Sequence, residues 1–315
     1  MINFTQLRDF YQVAKNLNFT AAANELCISQ PAVTAQVKLF EDYCKLKLLK
    51  KRGRKIYLTD EGKTLYSYAE KIFEYEREIE RTIEDMKKLK RGTLHLGTTK
   101  TYTRYFMPFL ISRFHKSYPQ IKIHLDEGSS LDMSNSLLNL KNEIVIVAKA
   151  MDNTDICFMP FSQEELILIL SPDHPLVNKK TLSVRDLAKE PIIMKENGSG
   201  TRKLVCELFS KNGLTPNILV ETSNTEFIKQ LVARKYGISF LVKAAVEKEL
   251  KEENLASVSI EGEKIFLDVS IAYLKNCHFS PAAQTFLNIL KKLALKYRPN
   301  NGIRSLNDMI NVYNK

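Results

Sequence analysis

The sequence predicts an α+β multidomain chain, and three observations carry that prediction. Near the N-terminus two short helical patterns flank a tight connection at Cys27-Ile28-Ser29. A long, densely charged helix with a single apolar seam follows them. Beyond Gly92, strand and helix patterns alternate almost to the end, which implies an α/β region with a mainly parallel sheet.

Composition sets the outer limits. At 315 residues, 44% apolar and 26% charged, the chain has room for two or three domains with ample cores, and it is not a disordered polymer. A net charge of +11 favours an anionic partner such as nucleic acid, although charge alone is unspecific. Cys27, Cys44, Cys157, Cys206 and Cys277 show no paired spacing and lie in or beside apolar runs, so they are expected to be reduced core residues. The N-terminus enters a helical pattern at once, and no apolar run reaches the length of a membrane span. The expected compartment is the cytoplasm, with no membrane partner.

In order along the chain, Leu7, Phe10, Val13, Ala14 and Leu17 keep helical spacing over 5–17. Thr20 is placed to cap a short second helix packed through Ala21, Ala22, Ala23 and Leu26. Ser29 is placed to cap a third helix, with Pro31 in its first turn, where a missing N–H costs nothing. Val33, Val37 and Phe40 share a buried face of that helix. Gln30, Thr34 and Lys38 lie opposite, polar groups of the kind that reach base edges and phosphates from a recognition helix in the major groove. The bland alternative is an ordinary helix pair with a solvated face.

Next comes a run of Lys45, Lys47, Lys50, Lys51, Arg52, Arg54 and Lys55 with no acidic residue between them, broken by Gly53. It reads as a basic hairpin whose arginines would lie along a DNA backbone or in a minor groove, the alternative being a solvated charge run. Ile56-Tyr57-Leu58 is a short strand, and Thr59 then caps the long helix, with Asp60 and Glu61 set against its dipole. Leu65, Tyr68, Ile72, Tyr75, Ile79, Thr82, Met86 and Leu89 recur at gaps of three and four among charged neighbours. That is a coiled-coil seam suited to a dimer, or else to packing on the chain's own next domain.

The alternating region reads as strands at 94–97, 121–125 and 144–147 with helices near 106–118 and 133–140. A second unit begins at 166–170 and runs through strands at 191–194, 218–220 and 238–241 and helices at 201–211 and 225–235. A strand at 266–273 crosses back, and Ser280-Pro281 opens a closing helix through 293. Two lobes follow, with a cleft between them. Thr98-Thr99-Lys100-Thr101 and Asn197-Gly198-Ser199-Gly200-Thr201 would form its opposite walls, with Ser129 and Ser130 as a further contact. Glycines admit close backbone approach and a helix start offers free N–H groups, so an anion would suit the second wall, although such hydroxyls often serve only as caps.

With these parts in order, the chain resembles the LysR-type transcriptional regulators from Phe4 to about Leu293. The residues that carry the resemblance are Leu7-Arg8-Asp9-Phe10, Phe19-Thr20-Ala21-Ala22-Ala23 with Leu26, Ser29-Gln30-Pro31-Ala32-Val33, and Arg54-Lys55-Ile56-Tyr57-Leu58-Thr59 followed by Glu61-Gly62. The resemblance implies a winged helix–turn–helix at 1–59, a linker and dimerisation helix at 60–91, and a two-lobed effector domain at 92–298 similar to type 2 periplasmic binding proteins. Lobe I would hold about 92–163 and 267–298, lobe II about 164–266, with a tail at 299–315. By matching position, Ser29, Gln30, Pro31, Thr34, Ala35 and Lys38 would face DNA, with Thr20 on phosphate and Arg52 and Arg54 on the wing.

Leu65, Tyr68, Ile72, Tyr75, Ile79 and Met86 would make the dimer, and Thr99, Lys100, Thr101, Ser129, Gly198, Ser199, Gly200 and Thr201 would hold the ligand. The implied partners are double-stranded promoter DNA, a second copy in a homodimer and then a homotetramer, a small polar or anionic metabolite, and RNA polymerase. The run 98–105 resembles the pocket of cysteine-biosynthesis regulators, whereas 198–202 resembles carbon-fixation regulators; the two imply different ligands but agree on a small polar one, expected to be anionic. Four positions depart from the family pattern: Lys45 and Lys235 stand where glycine is common, Leu49 where phenylalanine is, and Val145 where aspartate is.

An enzyme is not expected. Ser199 lacks the outer glycines of a nucleophile elbow, and the five histidines are too scattered for a triad or a metal motif. No cysteine pair has zinc spacing, and no cofactor is implied. A transporter's solute-binding protein is the rival for the second half, but it would not need the first ninety or so residues.

Overall fold

A computed structural model of the chain describes residues 1–53 and 55–296, so Arg54 and the expected tail at 299–315 lie outside the described residues. The chain divides into two compact units between Asp85 and Met86.

The first unit contains α1 (Phe4–Asn16), α2 (Phe19–Leu26), α3 (Gln30–Cys44), a hairpin of β1 (Leu49–Arg52) and β2 (Lys55–Leu58), and most of α4 (Asp60–Lys87). Phe10, Val13, Ala22, Val33, Val37 and Phe40 close its core, joined by Leu48 from the approach to the hairpin and Ala69 and Phe73 from α4. The cap of α2 is Asn18 and not Thr20. The helix starts two residues earlier than expected, and Asn18 Oδ1 accepts the N–H groups of Thr20 and Ala21 at 2.8 and 3.1 Å. Thr59 does cap α4, its hydroxyl accepting the Gly62 N–H at 2.9 Å.

Lys45 ends α3 in the left-handed conformation with φ 55°, and its N–H and that of Leu46 return to the carbonyls of Asp42 and Glu41. A lysine thus carries a Schellman-type turn where glycine would fit without the cost of about 1 kcal/mol. Lys235 does the same with φ 66°. Gly62 has no such freedom to vary: a Cβ there would lie 2.1 Å from the Leu48 carbonyl oxygen, so the start of α4 packs directly on backbone.

Leu65 leaves the seam. The spacing of Gly62, Leu65, Tyr66, Ala69 and Phe73 turns that side of α4 onto the first core, where Tyr11 stacks on Tyr66 and meets Phe73 at 5.0 Å between ring centres. Arg8 of α1 pairs with Glu76 on the same side. Tyr68, Ile72, Tyr75, Ile79 and Met86 form the other side and are exposed, together with Ile83, which the spacing argument passed over.

The second unit begins with β3 (Thr93–Thr99), α5 (Lys100–Tyr105), α6 (Met107–Ser117), β4 (Lys122–Gly128), α7 (Ser130–Leu138) and β5 (Ile144–Ala148). The long β6 (Ile156–Ile169) then leads to β7 (Thr181–Leu182), α8 (Val184–Leu187), β8 (Ile192–Lys195), α9 (Gly200–Lys211), β9 (Ile218–Thr222), α10 (Thr225–Ala233), β10 (Ser239–Val242), α11 (Glu247–Lys251) and β11 (Ser259–Ile260). The chain returns along β12 (Ile265–Leu274) and closes with α12 (Pro281–Lys296), whose start is capped by the Ser280 hydroxyl at 3.1 Å from the Ala283 nitrogen.

The main sheet has the order β10-β6-β12-β5-β3-β4, and a separate parallel pair, β8-β9, lies in the second lobe. Only β5-β3 and β3-β4 are parallel in the main sheet; β10-β6, β6-β12 and β12-β5 are antiparallel. The expectation of a mainly parallel sheet is corrected by β6 and β12, which run against each other from one lobe into the other. The expected strand at 166–170 is only the far end of β6, because Ser162-Gln163-Glu164-Glu165 interrupt its apolar pattern. Likewise the helix expected near 106–118 is α6 alone, with Pro108 in its first turn and the shorter α5 before it. One core gathers Leu96, Phe114, Ile146, Phe161 and Phe286, and a second gathers Leu168, Leu182, Val205, Phe209 and Phe240.

The cysteines are not core residues as expected: Cys27 is exposed where α2 ends, and the other four are half-buried. Among the described residues no helix is long and apolar enough to cross a membrane.

Candidate nucleic-acid interface and inter-lobe cleft

In the first unit, Gln30, Thr34 and Lys38 lie exposed along α3 and border one groove of about 520 Å³ with Thr20 and with Lys50 and Lys51 of β1. Gln30 Nε2 donates to Thr34 Oγ1 at 2.8 Å, and the Thr34 hydroxyl donates to the Gln30 carbonyl at 2.9 Å. The amide is therefore held in one pose with its carbonyl oxygen free to accept, which favours selective contact over general stickiness. Ser29 caps the helix by accepting the Ala32 N–H at 3.4 Å, which leaves its O–H to donate. Pro31 and Ala35 are exposed and offer apolar contact only, and Arg52 is exposed at the end of β1, ahead of Gly53 at φ 64°.

Glu41 was not singled out by the sequence, yet it ties this surface together. Its Oε1 accepts the N–H groups of Leu48 and Leu49 at 2.8 and 3.1 Å, and its Oε2 pairs with Lys47 at 3.0 Å. Burial pushes its carboxyl up, and the hydrogen bonds from Leu48, Lys47 and Leu49 outweigh that and leave it below the usual carboxylate range. The signal was an acidic residue on the inner side of a helix, next to exposed Asp42 and just ahead of the basic run.

In the second unit, Thr99, Lys100, Thr101, Ser129, Ser199, Gly200 and Thr201 all border one enclosed space between the lobes. Gly198 lies beside it at φ 79°, and its carbonyl accepts the Leu131 N–H across the cleft at 3.2 Å. The space measures about 20 Å³, about one water molecule.

The hydroxyls differ in what they do. Ser129 is a cap, donating to Asp132 Oδ2 at 2.7 Å and accepting the Asp132 N–H at 3.1 Å. Thr99 and Ser199 occupy the cap positions of α5 and α9 without any side-chain cap bond, so their hydroxyls are not consumed by backbone.

Lys195 was missed. It ends β8 at 6% exposure, and its Nζ donates to the Ser223 carbonyl at 2.6 Å and pairs with Glu196 at 3.5 Å. Burial lowers its pKa, Glu196 opposes that, and the neighbouring charge of Lys100 adds to it. A lysine ending an apolar strand immediately before Asn-Gly-Ser-Gly was the available clue. Two cations, Lys100 and Lys195, therefore converge on the start of α9.

A winged helix–turn–helix followed by a two-lobed domain with a cationic cleft defines a ligand-responsive DNA-binding regulator, not an enzyme. The family profile described as "Bacterial regulatory helix-turn-helix protein, lysR family" matches residues 4–63, and that described as "LysR substrate binding domain" matches residues 87–294. The chain belongs to the LysR family of transcriptional regulators, which act on promoter DNA as oligomers.

It is 36% identical over 285 residues to the HTH-type transcriptional activator CmpR of Synechocystis sp., a match that covers 90% of this chain and 93% of that one. It is 31% identical over 285 residues to the RuBisCO operon transcriptional regulator of Allochromatium vinosum, covering 90% and 94%. The regulatory domain of Synechocystis CcmR, solved in complex with 2-PG, superposes with a TM-score of 0.60 at 30% identity and covers 65% of this chain and 98% of that one.

Proposed function

We propose that this regulator controls genes of carbon fixation and responds to a small anionic metabolite, phosphorylated or carrying a comparable charge, held between its lobes. The observation that carries the reading is the convergence of Lys100 and Lys195 on the start of α9, where Gly200 and Thr201 present N–H groups and Ser199 and Thr201 present hydroxyls. The relationship to RuBisCO operon regulators and to a domain solved with 2-PG supports the choice of carbon fixation over cysteine biosynthesis.

On this reading Gln30, Thr34 and Lys38 read base edges, and Thr20, Ser29, Arg52 and Arg54 hold the backbone, with Pro31 and Ala35 in apolar contact. Tyr68, Ile72, Tyr75, Ile79 and Met86 bury against a second copy, which places two reading helices on spaced half-sites. Pairs of dimers bend the intervening DNA in the cytoplasm, and RNA polymerase is the downstream partner. A ligand changes that arrangement only through unequal affinity for its states.

The test is a thermal-shift comparison of 2-PG, inorganic phosphate, sulfate and neutral sugars on the purified protein, paired with gel shifts on DNA upstream of its own gene. Stabilisation by the anions alone, and a salt-sensitive, sequence-dependent shift that they alter, are expected. Equal response to neutral sugars would sink the ligand assignment.

A further inference from the structure

Both cations that face the cleft are already held by one residue of the chain itself. The Ser223 hydroxyl accepts from Lys100 Nζ at 2.7 Å, and the Ser223 carbonyl accepts from Lys195 Nζ at 2.6 Å. Thr225 Oγ1 stands 3.3 Å from Thr101 Oγ1 and 3.5 Å from Lys195 Nζ. These are the contacts that oxygens of an anionic ligand would make.

The arrangement is braced from outside. The Tyr105 hydroxyl on α5 donates to Glu226 at 2.9 Å, and its oxygen accepts from Lys229 Nζ at 3.0 Å. Lys229, with only 7% of its side chain exposed, also pairs with Glu226 and with Glu249 at 2.8 Å each, and Arg104 reaches Glu226 at 3.3 Å. Burial alone would depress Lys229, but the bonds to Glu226, Glu249 and Tyr105 outweigh it and keep the ammonium charged. α5 of the first lobe and α10 of the second are therefore joined by a continuous polar strip, in which the second oxygen of Glu249 is left buried without a hydrogen bond. On the far wall the Leu131 N–H to Gly198 carbonyl bond completes the closure.

The space beside Lys195 measures about 20 Å³, whereas a groove of about 300 Å³ over α5 reaches Lys100 but not Lys195, so an anion of several heavy atoms that is to meet both lysines must displace Ser223. We propose that segment 223–225 is a built-in competitor for the effector's cations, held in place by the Tyr105–Glu226–Lys229 latch. This rests on the reading of the cleft as an anion site. Effector binding then begins by breaking closure, and the apparent affinity is the intrinsic one reduced by the fraction of molecules that are open. The latch sets the concentration below which the regulator ignores its effector.

The test uses the full-length protein. With nothing added, amide hydrogen exchange is followed in peptides containing Leu131, whose N–H reports closure. Tyr105→Phe is expected to speed that exchange about tenfold, and Arg104→Gln, at the exposed end of the strip, to speed it in the same direction. Unchanged exchange in both variants would overturn the latch. In a second arm, calorimetric titration with inorganic phosphate is compared between the wild type and Ser223→Ala. About three- to tenfold tighter binding by the variant is expected. Equal or weaker binding would overturn the competitor role, weaker binding marking Ser223 as a ligand contact. Phosphate that binds neither protein would count against the anionic reading of the cleft, while the exchange arm still decides the latch.

Discussion

Glu41 on the reading helix and Leu48 ahead of the wing are joined by a 2.8 Å hydrogen bond from the Leu48 amide, so recognition helix and hairpin are positioned by one carboxylate. Glu41→Gln keeps the shape but weakens three charge-assisted contacts. Urea unfolding at pH 7 should show a loss of about 1–3 kcal/mol. The pH dependence has a defined sign. The folded carboxyl lies below its unfolded value, so its contribution is complete above the unfolded value and fades as pH falls through the folded one. Wild type should therefore lose more stability than Glu41→Gln between about pH 5 and pH 3, and parallel pH curves would refute the assignment.

Gln30 is held against Thr34 with its carbonyl oxygen left free. Gln30→Ala should lower discrimination between operator and point-mutated operator by about 1–3 kcal/mol at one base pair, and leave the slope of affinity against salt unchanged. Competition gel shifts at several salt concentrations measure both.

The exposed side of α4 makes a prediction about assembly. Ile79 is 60% exposed and Tyr75 is 67% exposed, on the same side of the helix. Ile79→Glu should shift sedimentation towards the monomer and weaken operator binding, while the circular dichroism of the single chain stays the same. An undisturbed oligomer would move the interface elsewhere.

Lys195→Met tests the buried cation. The substitution removes the charge but leaves the Ser223 carbonyl and the Glu196 carboxylate without their partner, so the ligand-free protein should lose about 1–3 kcal/mol. The thermal stabilisation produced by phosphate should vanish in the same protein. Retained stabilisation would remove Lys195 from the site.

The N-terminal unit was legible because its signals are local. Cap residues, a proline in a first turn and apolar spacing act within a few residues of one another, and the capping error, Thr20 for Asn18, is a shift of two positions in where the helix starts. The seam misassigned Leu65 because spacing shows that a stripe exists but not which neighbour covers each part of it; Leu65 packs against the first core while Tyr68 is exposed. In the cleft the hydroxyl walls were readable from small residues before helices. Lys195, Ser223 and Tyr105 were not, since each acquires its role from partners between 28 and 124 residues away. Glu41 escaped for the same reason in miniature, its partners lying across the turn that follows its helix.

β6 and β12 pass side by side from one lobe to the other, with their pairing interrupted by a shift of register between Val269 and Ser270. A shift of that kind bends a strand pair locally, so hinge motion between the lobes is expected to centre on the ribbon they share. A ligand that altered the angle between the lobes would then act through backbone belonging to neither lobe alone.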